Sequence, residues 1–276
     1  MMAGTRIRKA PSRADRMDYL EFAVGLAAKA GRKIMGASMV GFETRTKPDG
    51  SYVTDVDVAV EHMLRREIGR RFPGHAIIGE ELPGSGASEF TWILDPIDGT
   101  DNFVHGIPTF GTLIALYHHD QPLVGVVAHP ALKRCYSAAA GMGVFLNGRP
   151  LERVAADLRG APIIVTTAPE NFAKNGLLDR FCAIQRHFGN TRIYRDCFAH
   201  SRVVEGGASA MVDANVRLWD IAATRLLVEE SGGRFVETDR WTTPEGAEYH
   251  TCIFGRADLV DTLCAIMNAS SSRGYV

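Results

Sequence analysis

Three short segments place carboxylates where a folded core would not want them. Gly79-Glu80-Glu81 follows the apolar run Ala76–Ile78. Asp95-Pro96-Ile97-Asp98-Gly99-Thr100-Asp101-Asn102-Phe103 follows Thr91-Trp92-Ile93-Leu94. Trp219-Asp220 opens an apolar stretch that reaches Ser231. Carboxylates gathered in one place repel one another and are costly to desolvate unless a cation neutralises them. Hard oxygen donors without His or Cys partners point to magnesium rather than zinc. Proline fixes the turn after Asp95, so Asp95 and Asp98 can converge with the Ile97 carbonyl pointing the same way. Gly99-Thr100 then opens a helical turn whose free N–H groups suit a phosphate dianion. Acids for metals beside amides for phosphate imply metal-assisted phosphoryl transfer. Taken singly, each segment has a plainer reading: Asp220 as a helix N-cap, Glu80-Glu81 as a solvated loop, Asp95 as a turn former. The fixed order of the nine-residue segment favours the metal site.

The elements that must position these acids are legible from periodicity. Tyr19, Phe22, Ala23, Leu26, Ala27, Ala30 and Ile34 recur at helical spacing, and Val60, Met63, Leu64, Ile68 and Phe72 mark a second helix stopped at Pro73-Gly74. Apolar runs at 76–79, 91–95, 113–117, 123–128 and 135–139 read as strands. A strand at 163–167, a helix near 176–188, a helix over 199–206 and a strand at 210–212 follow. The helix 219–231, ended by Gly232-Gly233, precedes late strands at 235–236 and 252–254 and a closing helix over 259–267. This order predicts layered sheets and helices, α+β in the first half and closer to α/β in the second. We expect one compact unit: a basic leader over 1–16, an N-terminal α+β subdomain over 17–150 carrying most of the acids, and a C-terminal α/β subdomain over 151–276 completing the site.

The composition narrows the function classes. The 276 residues carry 31 basic and 32 acidic side chains, a net charge of −1, and 46% apolar content. Balanced charge argues against a dedicated nucleic-acid or membrane-surface binder. No apolar run approaches the roughly 20 residues of a membrane span, and the basic leader has no secretory apolar core. Five scattered cysteines without a CxxC pair suit reduced thiols in a cytoplasm. Phosphate-loop, HExxH and GxSxG patterns are absent. Gly141-Met142-Gly143 reads as a hairpin turn, His118-His119-Asp120 as a solvated turn, Cys197 as a packed thiol, and His105 as a structural or rim residue.

Gly79-Glu80-Glu81, DPIDGTDNF at 95–103, and Trp219-Asp220 followed by Gly232-Gly233 resemble the inositol monophosphatase family, over roughly residues 19–268. The upstream segment Lys47…Val53-Thr54-Asp55-Val56-Asp57…Glu61 matches as well. The resemblance implies a layered αβαβα sandwich of the inositol monophosphatase and fructose-1,6-bisphosphatase type. It also implies a magnesium-dependent, often lithium-inhibited phosphomonoesterase, commonly a homodimer, with two or three Mg2+ per active site. Carried over, Glu80, Asp95 and the Ile97 carbonyl would hold the first ion, and Asp95, Asp98 and Asp220 a second. Glu80 with the Thr100–Asp57 pair would orient the attacking water, and the Gly99 and Thr100 amides would grip the phosphate. Asp101 departs from the threonine often found there in inositol-type members.

Pro108–Leu116 and Arg195-Asp196-Cys197-Phe198 are more similar to the histidinol-phosphate phosphatase branch. Asp213 falls where the family places an acid that contacts the substrate alcohol. Asp196 and Asp213 together would set negative charge beside the leaving group, which suits an ammonium or imidazolium better than a neutral polyol. The plainer readings are a helix-capping Asp196 and a loop acid at Asp213. The substrate expectation is therefore histidinol phosphate, with inositol 1-phosphate or another sugar or nucleotide phosphate as the alternative. A non-catalytic scaffold with this fold, contacting partners through Arg6–Arg16, is the alternative of another class; neither membrane nor nucleic acid is expected as a partner of the enzyme.

Overall fold

Ser12 starts the first helix, α1 (Arg13–Val40), by a reciprocal cap: its hydroxyl accepts the Asp15 N–H at 3.2 Å and the Asp15 carboxylate accepts the Ser12 N–H at 2.8 Å. The computed structural model describes residues 10–151 and 162–269. The cap places the helix start four residues inside the stretch expected as a leader; residues 1–9 of that stretch lie outside the described residues. Leu20, Ala23, Leu26, Ala27, Ala30 and Ile34 form the buried stripe that the spacing predicts.

A small hairpin, β1 (Thr44–Thr46) and β2 (Tyr52–Thr54), leads into α2 (Asp55–Arg71). A seven-stranded sheet follows: β3 (Ala76–Gly79), β4 (Phe90–Asp98), β5 (Gly111–His118), β6 (Gln121–His129), β7 (Arg134–Ala139), β8 (Val144–Leu146) and β9 (Arg149–Pro150). Its strands lie in sequence order, and β3 pairs parallel with β4 while the other pairings are antiparallel. The short helix α3 (Thr100–Val104) leaves directly from the end of β4.

The rest of the chain supplies β10 (Ile164–Thr166), α4 (Pro169–Lys174), α5 (Leu178–His187), β11 (Thr191–Ile193) and α6 (Asp196–Val204). After these come β12 (Ala210–Val216), α7 (Leu218–Glu230), β13 (Arg234–Thr242), β14 (Glu248–Gly255) and α8 (Ala257–Asn268). The second sheet runs β11-β10-β12-β14-β13.

Three apolar cores define the layering. Trp92, Leu94, Ile114 and Val126 of the large sheet pack with α1 and α2. The alternate residues Ile93, Leu113 and Val127 meet α6 and α7, which also bury Met211 and Phe254 of the second sheet. The other face of that sheet, with Val212 and Ile253, packs on α4, α5 and α8. The order is thus helices, sheet, helices, sheet, helices, the expected layered α/β sandwich.

Local differences from the sequence reading have physical causes. The single helix expected near 176–188 is α5 preceded by α4, whose six residues are too short to show periodicity. The helix expected from Ala199 begins at Asp196, which takes φ +61°, an uncommon value for a residue with a side chain. The helix expected over 219–231 is α7, and Gly232 takes the left-handed conformation at φ +88° just beyond it. No helix among the described residues is long and apolar enough to cross a membrane.

Candidate active site

Asp95, Asp98 and Asp220 come together as the sequence predicts: one carboxylate oxygen from each lies within 4.8 Å of the others. β4 delivers the first two, with the Asp95–Asp98 irregularity in its pairing to β5 letting both acids turn into the same space. α7 delivers the third. Asp220 is not the cap of that helix but the third residue in; its Oδ2 accepts the N–H of the capping residue Arg217 at 2.7 Å. Asp95 is 1% exposed, and its Oδ1 has no hydrogen-bond partner. A buried carboxylate oxygen left unpaired beside two more carboxylates fits a divalent cation with hard-oxygen preference.

The electrostatics agree. Burial pushes Asp95 well above the ordinary carboxylate range, and the charges of Glu80, Asp98 and Asp220 push it further. Asp220 is raised in the same way, by burial and then by Asp98 and Glu80. Burial raises Asp98 too, against the opposing pull of the Cys197 backbone N–H, which donates to its Oδ2. A cation among them would offset this repulsion and favour the ionised form of all three.

Glu80 and Glu81 leave the end of β3 on a turn held from below by Glu61 of α2. Glu61 is fully buried and accepts the Glu81 N–H at 2.7 Å, the Leu82 N–H at 3.2 Å and the Arg65 guanidinium at 2.7 Å. Gly79 is required here, because a Cβ would stand 2.2 Å from Glu61 Oε1. Lys47, from the β1–β2 turn, bridges Glu80 and Glu81 with 2.7 Å contacts to each. Burial pushes Glu81 up to about 7, with the neighbouring Glu80 charge adding to it. Lys47→Met should therefore lower the melting temperature of metal-free protein, by roughly 1–3 kcal/mol of stability, since two adjacent acids lose their counter-charge. Thermal melts with and without Mg2+ check this, and the stabilisation by Mg2+ should be larger in the variant.

Asp57 joins the site from α2. One oxygen accepts the Thr54 N–H at 2.8 Å, and the other lies 3.1 Å from Thr100 Oγ1. Thr100 Oγ1 is also 2.8 Å from the Ile97 carbonyl, so its single proton has two acceptors to choose between. Gly99 takes φ +78° to turn β4 into α3. The first turn of α3, whose N–H groups have no helical partners, supplies Thr100, Asp101 and Asn102 to the lining of the same cleft.

That cleft, about 680 Å³, is lined by Glu80, Asp95, Ile97, Asp98, Gly99, Thr100, Asp196 and Asp220 among others. Asp196 receives the Asn102 amide at 2.9 Å. Burial, then the charge of Asp98, pushes it up to about 7. Asp213 departs from the expected alcohol contact. Alternation along β12 turns it with Met211 towards α6 and α7, where it is 1% exposed and hydrogen-bonded to His200 at 2.7 Å. It is not among the residues lining the cleft. Asp101 lies at the rim, and His105 is exposed, its Nδ1 2.8 Å from the Asp101 carbonyl. The contacts of Lys47, Glu61, Asn102 and His200 add to the expected site: Lys47 and Glu61 belong to the matching upstream segment and Asn102 to DPIDGTDNF, while His200 carries no local signal.

The layered αβαβα sandwich, with its buried acid cluster beside a helix start, agrees with the family the sequence resembles. The family model described as the inositol monophosphatase family matches residues 15–257, and the chain belongs to that family. It is a phosphate-monoester hydrolase. The chain is 40% identical over 210 residues to a histidinol-phosphatase of Mycobacterium tuberculosis, covering 73% of this chain and 80% of that one. It is 33% identical to inositol monophosphatase 2 of Rattus norvegicus, covering 80% of each chain. Among solved structures, an IMPase/NADP phosphatase complexed with Mg2+ and phosphate superposes with a TM-score of 0.78 at 23% identity, covering 93% of this chain and 97% of that one.

Proposed function

We propose that this protein is a magnesium-dependent histidinol-phosphate phosphatase, releasing histidinol and phosphate. The observation that carries the substrate reading is Asp196: a carboxylate held by Asn102 on the cleft wall beside Gly99 and Asp98, where an ammonium or imidazolium would be drawn in. The likeness to histidinol-phosphatases supports it.

Glu80, Asp95 and the Ile97 carbonyl would hold one magnesium ion, and Asp95, Asp98 and Asp220 another. Bound there, magnesium supplies Lewis-acid stabilisation of the phosphoryl oxygens and acidifies a water. The chain's own residues do the rest. With its O–H donated as a hydrogen bond to Asp57, Thr100 would keep a lone pair of Oγ1 free to accept a hydrogen bond from the attacking water. Glu80 lines the same wall and orients that water from its other side. The N–H groups at the start of α3 hold the phosphate, so that water adds to phosphorus as the bond to the alcohol oxygen breaks.

The test is phosphate release from L-histidinol phosphate and inositol 1-phosphate, with Mg2+ and with chelator. The expected result is a metal-dependent preference for the histidinol ester. Equal rates on both esters would overturn the substrate reading, and full turnover in chelator the metal reading. Asp196→Asn should raise KM for histidinol phosphate by about tenfold or more, the worth of one charged contact, and leave KM for inositol 1-phosphate nearly unchanged. The second reading, inositol 1-phosphate, is favoured by the inositol phosphatase relatives and predicts the reverse preference.

The same reading includes a homodimer in the cytoplasm. The edge strand β11 carries Ile193 at 50% exposure, followed by Tyr194 at 39%, an apolar edge suited to a second copy. The five cysteines are unpaired, in keeping with a reducing compartment.

A further inference from the structure

His200 touches none of the groups given a chemical role above, yet it is 1% exposed and fully engaged. From α6 its Nε2 reaches Asp213 Oδ2 on β12 at 2.7 Å, and its Nδ1 reaches Thr224 Oγ1 on α7 at 2.8 Å. Its ring stands edge-on to Phe254 of β14, with centroids 5.3 Å apart. Asp213 and Thr224 are as buried as the histidine itself.

The three elements joined here are those that frame the acid cluster. In α6, His200 lies three residues after Cys197, whose N–H donates to Asp98, and four after Asp196. In α7, Thr224 lies four residues after Asp220. Residues three and four apart share one helix face, so the imidazole ties the two helices together one turn below their working ends. Burial works against a charged ring, but the hydrogen bond and charge of Asp213, with Asp98 and Asp196 beyond it, outweigh burial and hold His200 above its ordinary pKa. Both ring nitrogens are engaged, Nε2 with the Asp213 carboxylate and Nδ1 with the Thr224 hydroxyl.

We propose that His200, gripped by Asp213 and Thr224, is a positioning residue of the phosphatase site that sets the separation of the α6 and α7 starts, and through it the spacing of Asp98 and Asp220. This rests on the reading of Asp98 and Asp220 as cation ligands. A buried ion pair is poor evidence for stability as such, since well-packed apolar groups of equal volume often stabilise as much. What an apolar replacement cannot reproduce is two directional contacts that fix two helices against one strand. Displacements near 1 Å in such supporting structure cost on the order of a hundredfold in turnover.

The experiment measures Mn2+ binding by isothermal titration and ester turnover against Mg2+ concentration, for wild type, His200→Leu, His200→Gln, Thr224→Val and Asp213→Asn, well below their melting temperatures. His200→Leu should weaken Mn2+ binding by about 10–100-fold and lower kcat, with KM for the ester near that of wild type. His200→Gln, which can keep one of the two contacts, should recover part of both losses. Thr224→Val, which removes one arm without a large volume change, should show a smaller loss of the same kind. Variants that melt lower but bind Mn2+ and turn over as wild type would overturn the proposal. Should His200→Leu fail to fold, Thr224→Val and Asp213→Asn decide between the same two outcomes. Wild-type protein that binds no Mn2+ and works in chelator would overturn the cation-site reading and this one with it, a result distinct from a wild type that binds and variants that match it.

Discussion

Asp95→Asn is expected to abolish turnover, by on the order of 10³-fold or more, and at the same time to make the metal-free protein more stable. Turnover falls because Asp95 is the carboxylate shared between the two proposed ions, and an amide is a weaker, neutral ligand. Stability rises because the charge being removed is buried, unpaired at Oδ1, and opposed by Glu80, Asp98 and Asp220. One pKa unit of elevation corresponds to about 1.4 kcal/mol, and each kcal/mol moves the melting temperature of a chain this size by roughly 2–4 °C. The direction with pH follows from the same groups. Their folded pKa values lie above those of the unfolded chain, so the folded state binds more protons. That stability is fully present below the ordinary carboxylate range and is lost as pH rises through the elevated values, about 7 for Glu81 and for Asp196. Metal-free wild type should thus melt at a higher temperature at pH 6 than at pH 8. Saturating Mg2+ should flatten this dependence, and Asp95→Asn should weaken it. Calorimetry of the two proteins at both pH values, with and without Mg2+, checks each arm. A variant no more stable than metal-free wild type would show that the cluster carries no stored repulsion.

Thr100→Ala should lower kcat by about 10²–10³-fold while leaving KM for the ester and the affinity for Mn2+ within a few-fold of wild type. The hydroxyl touches two acceptors, the Ile97 carbonyl at 2.8 Å and Asp57 at 3.1 Å, and has one proton to give. If its work is to pass a hydrogen bond from Asp57 to water, the loss falls on kcat. If its work is to steer the Ile97 carbonyl, the loss falls on cation affinity instead. Thr100→Ser keeps the hydroxyl and should return most of the rate. Steady-state kinetics beside Mn2+ titration separates these cases, and a serine variant as impaired as alanine would count against the hydroxyl altogether.

What could be read from the sequence follows from how far each feature reaches along the chain. Asp95, Ile97, Asp98, Gly99 and Thr100 lie within six consecutive residues, so a turn and a helix start suffice to predict that they converge. Asp220 was legible because an acid opening a long apolar helix is conspicuous, although its position three residues inside that helix was not. The resemblance sets Asp213 at the substrate alcohol; β12 runs on past Val212 to Val216, and alternation along it buries Asp213 on the same face as Met211, towards α6 and α7. Lys47 meets Glu80 across 33 residues, and His200 meets Thr224 across 24. Such pairings depend on how whole layers stack, which no local pattern encodes. The hairpin that carries Lys47 has no periodicity for a simpler reason. Its strands are three residues long, with the first exposed throughout, and leave no alternation to detect.

Asp57 divides its two oxygens between the Thr54 N–H and Thr100 Oγ1, and Asp220 gives one of its own to the Arg217 N–H, so each helps to close the first turn of its own helix. Asp95 has no such second employment. In a lineage drifting after loss of catalysis, changes at Asp57 and Asp220 would still be opposed by the fraying of α2 and α7, while a change at Asp95 would relieve repulsion and be favoured by folding alone. The identity of residue 95 is therefore the more sensitive record of whether a homologue with this architecture still turns over substrate, and retention of residues 57 and 220 says mainly that it still folds.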